Sequence, residues 1–313
     1  MKILVTGGSG FIGHHVVAQL ERLGHECFIL DNWTDYGLVP KDEMQALHAE
    51  RQAMYRAPLH KITLGESSSN AGWMCYRYQP DVVIHMASFP RQKVVSANPR
   101  WGSDVMIGGT IDLLEASRAT NVKHFVFISS SMVYGDFTQD IDESGPCNPI
   151  GQYGILKLTG EQLVKDYARR SDFTYTIVRP SAVYGPRDIE DRVVSKFLTA
   201  AIRGDTLKVK GANECLDFTH VNDVTAGIVA SAIDERAAGQ TFNITRSRAR
   251  TLLEAAELAI AIAGKGTVEL QDKDAEYPSR ARLKIDRARE LLGYIPTIDI
   301  EQGFQDYYQW LTK

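Results

Sequence analysis

The segment TGGSGFIG near the N-terminus constrains the fold of this chain more than any other feature. It follows a short apolar run at residues 2–6 and opens an amphipathic stretch at residues 12–23, with glycines at Gly7, Gly10 and Gly13. Glycines at this spacing allow a sharp turn and let a ligand approach the backbone closely. The N-terminus of the following helix offers free N–H groups and a partial positive charge, which suits a phosphate. The segment therefore predicts a pyrophosphate-binding turn, and a plain structural turn is the alternative.

Apolar strands alternate with amphipathic segments through the first 180 residues. This alternation is typical of a doubly wound parallel sheet, and the near-continuous apolar runs indicate that helices cover both faces. We predict an α/β protein with a Rossmann-type sheet and a smaller, mixed α/β substrate domain. The predicted strands are residues 2–6, 26–30, 61–64, 81–85, 125–129 and 175–179.

The domain boundary is predicted near residue 180. Residues 1–180 would form the dinucleotide-binding domain, together with parts of 215–245, and residues 181–313 the substrate-binding domain. Residues 252–263 are strongly apolar and predict a helix. Residues 33–56 are long and poorly patterned for such a fold, so we expect an excursion there that contains a helix.

Composition excludes several classes of protein. Hydrophobic residues make up 44% and charged residues 24%, the balance of a soluble globular protein. A net charge of −4 and a pI near 6.1 argue against a nucleic-acid partner or an anionic membrane surface. The four cysteines lie far apart, which predicts free thiols and no metal site. With neither a signal-peptide pattern nor a membrane-spanning run, the expected location is the cytoplasm.

Asp31 ends the second predicted strand, 18 residues beyond Gly13. An acidic residue near this offset accepts hydrogen bonds from the adenosine ribose of a dinucleotide and repels a 2′-phosphate. No arginine follows it at residues 32–34. The pattern favours NAD over NADP, with a turn-capping aspartate as the alternative.

Tyr153 and Lys157 stand four residues apart in YGILK, so on a helix they share one face. A nearby ammonium stabilises a phenolate and brings a phenol toward the working range of a base. The run FISSSMVYG ends the fifth predicted strand with three hydroxyls, at the sheet edge where such folds bind ligands. Each of these residues also occurs by chance in structural roles, so the prediction depends on their joint position.

A resemblance to a known family rests on nine segments in order: TGGSGFIG, DN at Asp31 and Asn32, DVVIHMAS, ISSSMVYGD, YGILK, RPSAVYGPRD, LDFTHVNDV, TFNIT and LLGYIPTIDIEQG. The chain resembles NAD-dependent nucleotide-sugar epimerases and dehydratases of the extended short-chain dehydrogenase/reductase group, such as UDP-glucose 4-epimerase. The resemblance covers nearly all of the chain outside residues 33–61. It implies that Tyr153 is the base, that Lys157 binds the nicotinamide ribose and lowers the pKa of Tyr153, and that Ser130 is the catalytic hydroxyl. The implied contacts to NAD are Gly7, Gly10, Phe11, Ile12, Gly13, Asp31, Asn32, Ala87, Ser88, Tyr153 and Lys157.

The chain departs from the family pattern at several substrate positions. Ser131 and Met132 stand where dehydratases and decarboxylases of the family carry acids, which favours epimerisation or simple oxidation. Ala182 and Leu216 replace an Asn and an Arg that touch the nucleotide, Met106 replaces a helix Asn, and LGESSS at 64–69 replaces a GDxxD segment. The candidates for substrate contacts are Arg91, Ser131, Arg187, Arg192 and Arg280, with Lys93 beside them. Two pairs outside this set are assigned structural roles: His14 and His15 as surface or packing residues, and His220 and Asp223 as a strand end and a helix cap.

These residues together predict a 4-epimerase that acts on a UDP-hexose and keeps its NAD. The alternatives are a 4-dehydrogenase or 4-ketoreductase with net NAD turnover and, from another class, a redox-inactive NAD-binding scaffold. The resemblance also implies a homodimer through helices near residues 101–118 and 152–169. The sequence offers apolar side chains there in support, namely Ile111, Leu114, Ala119, Leu156, Leu163 and Val164.

Overall fold

A computed structural model describes residues 1–66, 68–189 and 192–313. Its centre is a seven-stranded parallel sheet in the order β11-β6-β5-β4-β1-β2-β3. The chain builds β1 to β3 in one direction and β4 to β6 in the other, so a crevice opens between β1 and β4, where such folds bind ligands. The strands are β1 Lys2–Thr6, β2 Glu26–Asp31, β3 Leu59–Lys61, β4 Val82–His85, β5 His124–Ile128, β6 Thr174–Pro180, β7 Val183–Tyr184, β8 Thr206–Lys210, β9 Cys215–Leu216, β10 Thr219–His220, β11 Gln240–Ile244, β12 Arg250–Thr251 and β13 Thr267–Gln271.

Helices cover both faces of the sheet because alternate strand residues point to opposite sides. In β1, Ile3 belongs to a core shared with α1 and α9, whereas Leu4 belongs to a core shared with α3, α6 and α7. The helices are α1 Gly13–Arg22, α2 Lys41–Gln52, α3 Ser68–Tyr78, α4 Gln92–Ala97, α5 Pro99–Ser103, α6 Gly109–Ala119, α7 Gln152–Arg169, α8 Val193–Arg203, α9 Val221–Ile233, α10 Leu252–Ala263, α11 Asp286–Leu292 and α12 Ile300–Leu311, with a π-helix at Asp104–Gly108. Among the described residues, no helix is both long and apolar enough to cross a bilayer.

A third hydrophobic core lies beyond the sheet. It is built from α8, α10 and α12 with the parallel pair β8 and β13, and includes Phe197, Leu207, Ala256 and Phe304. Residues after 180 nevertheless return to the main sheet, since β11 pairs with β6 and α9 packs with α1. The α/β class with a parallel Rossmann-type sheet and a smaller mixed unit is therefore confirmed.

The strand predictions succeeded unevenly. The third strand was predicted at residues 61–64, but it lies at Leu59–Lys61, so its bounds were wrong. No strand was predicted for β11, the seventh member of the sheet. The helix at 252–263 and a helix within 33–56 are confirmed by α10 and α2. All four cysteines are free thiols, as predicted.

Candidate functional site

The glycine-rich turn brings backbone atoms very close together. Gly7 adopts a φ of 70°, and a Cβ there would lie 2.7 Å from the Ala87 backbone nitrogen. A Cβ at Gly13 would lie 2.1 Å from the Gly7 carbonyl oxygen. Only glycine fits at either position. Since α1 begins at Gly13, its first N–H groups lie at this turn, and the residues present fit a dinucleotide pyrophosphate.

A single cavity of about 850 Å³ runs from this turn along the carboxyl edge of the sheet to the third core. The catalytic candidates Ser130, Tyr153 and Lys157 line it, as does every residue expected to contact NAD. Of the residues expected to contact substrate, Arg91, Ser131, Arg192 and Arg280 line it. One continuous cleft therefore joins the dinucleotide turn to the catalytic candidates.

Asp31 lies at the end of β2 with both carboxylate oxygens engaged. They accept hydrogen bonds from the backbone nitrogens of Ser9 at 3.0 Å and Trp33 at 2.9 Å. Burial raises the pKa of Asp31, and these hydrogen bonds oppose that shift. The carboxylate thus links the glycine turn to the segment that follows β2.

Tyr153 lies in the first turn of α7, where its backbone nitrogen donates to Gln92 Oε1 at 3.0 Å. Its hydroxyl lies near the Ser130 side chain, which lowers the pKa of Tyr153. The Ser130 Oγ also accepts from the Met132 backbone nitrogen at 3.2 Å, as the cap of a 3₁₀ helix at Ser131–Tyr134. The strand end after β5 therefore holds a hydroxyl against the phenol.

The pKa of Tyr153 responds to burial and to two neighbouring side chains. Burial raises this pKa, while the charge of Arg192 and the Ser130 side chain lower it. The Nζ of Lys157 lies 5.9 Å from the Tyr153 ring centroid and donates to the Ile128 carbonyl at 2.7 Å. Burial lowers the pKa of Lys157 to about 7, against the opposing charge of Glu161. That Lys157 lowers the pKa of Tyr153 stays a prediction, and Arg192 is a contributor that the sequence did not suggest.

A buried ion pair supports the catalytic strand end. Glu161 and Arg179 are joined by two hydrogen bonds of 2.8 and 2.6 Å, and the Ser129 hydroxyl donates to Glu161 at 2.6 Å. Arg179 also lies over the Tyr134 ring, 4.8 Å from its centroid. This network holds Ser129, directly before Ser130, and Tyr134, four residues after it.

The substrate end of the cavity is strongly cationic. Arg280 donates to the Ser131 hydroxyl at 3.4 Å, and burial lowers the pKa of Arg280 to about 10. Arg192 pairs with Asp188 at 3.2 Å. Arg187 differs from the other candidates, because it does not line the cavity and pairs instead with Glu50 of α2 at 3.5 Å. Four lysines that we did not predict also line this end, namely Lys196, Lys208, Lys210 and Lys273.

The histidines and Asp223 correct the sequence interpretation in part. His14 and His15 are buried packing residues, with 0% and 8% exposure, so the surface alternative was wrong. His220 ends β10 and caps α9, accepting from the Asn222 nitrogen at 3.3 Å. Asp223 is not the cap, because its carboxylate accepts hydrogen bonds from the backbone of Thr297 and Ile298. No sequence signal nearby would have revealed this contact, which spans 74 residues for Thr297.

The fold and the site together define a short-chain dehydrogenase-type protein of the extended group. The family described as the NAD dependent epimerase/dehydratase family matches residues 3–245, and the chain belongs to it. Its cofactor is NAD.

Named relatives cover the whole chain. It is 29% identical to the uncharacterized UDP-glucose epimerase YtcB of Bacillus subtilis, over 100% of this chain and 98% of the relative. It is 30% identical to a putative UDP-glucose 4-epimerase of Methanocaldococcus jannaschii, over 99% of this chain and 98% of the relative. A UDP-glucuronic acid 4-epimerase from Bacillus cereus, solved with UDP-glucuronic acid and NAD, superposes with a TM-score of 0.91 at 26% identity, covering 100% of this chain and 99% of that one. UDP-glucuronic acid decarboxylase 1 of Arabidopsis thaliana is 28% identical, over 97% of this chain and 68% of the relative.

Proposed function

We propose that the protein interconverts the C4 epimers of a UDP-linked hexose and retains its NAD through each turnover. The observation that carries this proposal is the placement of Ser130, Tyr153 and Lys157 in the same cavity as the dinucleotide turn, with Ser131 and Met132 beside them. Relatives named as UDP-sugar 4-epimerases support it.

In this proposal Tyr153 accepts the proton of the sugar 4-hydroxyl and later returns it. Ser130, whose side chain lies near Tyr153, orients the sugar 4-oxygen during both transfers. Bound NAD supplies the acceptor and donor of the C4 hydride. The keto sugar must turn over between the two transfers, and the cavity of about 850 Å³ is large enough for a ligand of this kind.

The residues after Ser130 favour epimerisation over the decarboxylation that other relatives' names describe. Ser131 carries a hydroxyl, and Met132 carries no group that can donate a proton. Among the residues that the structure describes, the carboxylates that line the cavity are Asp31, Asp35, Asp188, Glu214 and Asp274. Asp31 and Asp188 are engaged, the first by the backbone of Ser9 and Trp33 and the second by Arg192.

We assign the substrate diphosphate to lysines that line the cavity. Ala182 and Leu216 line it without a polar group at the positions where the family carries Asn and Arg. Lys196, Lys208 and Lys210 line the same cavity. An ammonium binds phosphate as a compact charge, so these lysines replace the missing contacts.

The reaction is tested with a panel of nucleotide sugars incubated in deuterated water and followed by NMR. The 4-epimer should form without deuterium at C4 and without a rise in NADH absorbance. Deuterium at C3 or C5 contradicts the mechanism, because enolisation needs a further acid or base. Steady NADH accumulation would instead establish the alternative, a 4-dehydrogenase.

We also propose a homodimer through α6 and α7. Leu114, Leu156 and Val164 are buried within one protomer, so fewer apolar side chains remain to support this interface. Ile155 of α7 remains 49% exposed. Light scattering at micromolar concentration should give twice the chain mass of 34.9 kDa, and a value near 34.9 kDa contradicts the dimer.

A further inference from the structure

The segment of residues 33–56, which contains α2, has no role in the site as described so far. It leaves the sheet after β2 and returns at β3, crossing beside the dinucleotide turn. Six of its residues line the same cavity as Asp31, namely Thr34, Asp35, Tyr36, Met44, His48 and Arg51. The segment therefore forms a wall at the end of the cavity where Asp31 marks the adenosine ribose.

Arg51 connects this wall to both sides of the cleft. Its Nη1 donates to the Ser9 carbonyl of the glycine turn at 3.5 Å. Its Nε and Nη2 donate to the Arg187 carbonyl at 3.1 and 2.6 Å. The side chain is 4% exposed. One buried guanidinium thus ties the turn that receives pyrophosphate to the loop that follows β7.

Further contacts fasten the same segment at both ends. The Tyr36 hydroxyl donates to the Ser88 carbonyl at 3.2 Å, and its ring packs edge-on against Phe89 at 4.8 Å. The Tyr55 hydroxyl hydrogen-bonds the Ser9 hydroxyl at 2.9 Å. Glu50 accepts from the Trp310 indole of α12 at 3.1 Å. These contacts join the segment to the chain after β4, to the glycine turn and to α12.

The charge at Arg51 suits an anionic ligand. Burial lowers the pKa of Arg51 to about 10, with Asp188 and Asp31 opposing the shift, so the side chain remains a cation at neutral pH. The N-terminus of α1 adds a partial positive charge from the other side of the glycine turn. An adenosine diphosphate group held between them would meet positive charge on two sides.

We propose that the 33–56 segment is part of the dinucleotide site and that Arg51 holds the adenosine diphosphate half of NAD. Release of NAD then requires that the bonds from Arg51 to Ser9 and Arg187 break first. The inference concerns cofactor retention, so it stands whether the reaction is epimerisation or another.

The test uses the full chain with Arg51→Met and Arg51→Lys, and Arg56→Ala as the control. Arg56 belongs to the same segment, but its side chain is exposed. The rate of NAD release and the affinities for ADP-ribose, NADP and nicotinamide mononucleotide are measured for each variant. Arg51→Met should raise the rate of NAD release and lower the affinity for ADP-ribose, each by at least about tenfold, because charge-assisted hydrogen bonds are lost. Arg51→Lys should give values between those of Arg51→Met and the wild type. The affinity for nicotinamide mononucleotide should not change in any variant, and Arg56→Ala should behave as the wild type.

Three results would overturn the proposal. NAD release at the wild-type rate in Arg51→Met removes the role in retention. Equal weakening of ADP-ribose and nicotinamide mononucleotide indicates general damage to the site. Weakening of NADP alone indicates that Arg51 reads a 2′-phosphate.

A second variant keeps the test valid if Arg51→Met fails to fold. Tyr36→Phe deletes only the hydroxyl that donates to Ser88 and keeps the ring against Phe89. It should raise the NAD release rate by about threefold, as expected for one neutral hydrogen bond. An unchanged release rate in this folded variant counts against the wall as a retaining element.

Discussion

The acidity of Tyr153 depends on residues that lie far apart in the sequence. Ser130 follows β5, whereas Arg192 comes from the start of α8 and also lies over the Phe11 ring, 5.8 Å from its centroid. Arg192 therefore contacts the glycine-rich turn and lowers the pKa of Tyr153. This pKa depends on residues of the sheet and on residues that follow it in the chain, and therefore on how the two pack.

Replacing Tyr153 by Phe removes the proton acceptor but leaves the ring in place. Turnover should fall by about 100-fold or more, since general acid–base catalysis contributes that much, while NAD affinity stays nearly intact. Steady-state kinetics and NAD titration measure the two effects. Tyr167→Phe is the matched control on the same helix, because its hydroxyl contacts Glu115 rather than the cavity. A Tyr153→Phe enzyme with more than a tenth of wild-type turnover would falsify the assignment.

The residues that sequence could assign are those with a local signal. Tyr153, Lys157 and Gly7 belong to short motifs whose spacing reflects one helix or one turn. Arg51 carries no such signal, because its contacts to Ser9 and Arg187 depend on how an irregular excursion folds back. No arginine follows Asp31 at residues 32–34, but the fold brings Arg51 close enough for its charge to lower the pKa of Asp31.

At the scale of elements, α7 carries Tyr153 and Lys157 together with Glu161, which bonds to Ser129 after β5 and to Arg179 of β6. Glu161→Gln keeps the shape but leaves Arg179 as an uncompensated buried charge. The free energy of unfolding should fall by about 3 kcal/mol, as for other broken buried pairs. Urea denaturation measures it.

Glu115→Gln is the comparison for Glu161→Gln, since Glu115 and Arg118 form a pair on the surface of α6. This change should cost less than about 1 kcal/mol. Equal losses in the two variants contradict the structural role given to the buried pair.

The misplaced elements share a physical cause. The strand β3 is only three residues long and pairs with one neighbour, so the apolar run at 61–64 outweighed it in the sequence. The strand β11 follows a stretch without regular alternation and joins the sheet only through β6. In both cases tertiary pairing decides where the strand lies, and local pattern does not show it.

For the whole molecule, buried neutral histidines couple stability to pH. Burial lowers the pKa of His14 to about 2, of His15 to about 4 and of His85 to about 3, all from 6.5. These side chains stay neutral in the folded protein, whereas in the unfolded chain they become protonated as the pH falls through about 6.5. Their contribution to stability is therefore present above pH 6.5 and is lost as the pH falls.

Asp217 partly offsets this loss, because burial raises its pKa to about 6 and its proton stabilises the fold at low pH. We expect a net loss of about 3 kcal/mol between pH 7.5 and 5.5, from about 1.4 kcal/mol per proton and pH unit. Denaturant unfolding at both values measures it. His85→Gln should lower the pH dependence, and a free energy that does not change with pH contradicts the account.

The position of β11 has a consequence for biosynthesis. Gln240 pairs with Thr176, so the free edge of β6 finds its partner only after the chain has left the sheet and come back. A nascent chain that has emerged from the ribosome as far as residue 180 presents that edge uncovered, and uncovered strand edges recruit other chains. A fragment that stops there should self-associate in sedimentation experiments, whereas the full chain should not form such aggregates. The edge of β6 is therefore protected from pairing with other chains only after residue 244 has been synthesised and β11 can pair with it.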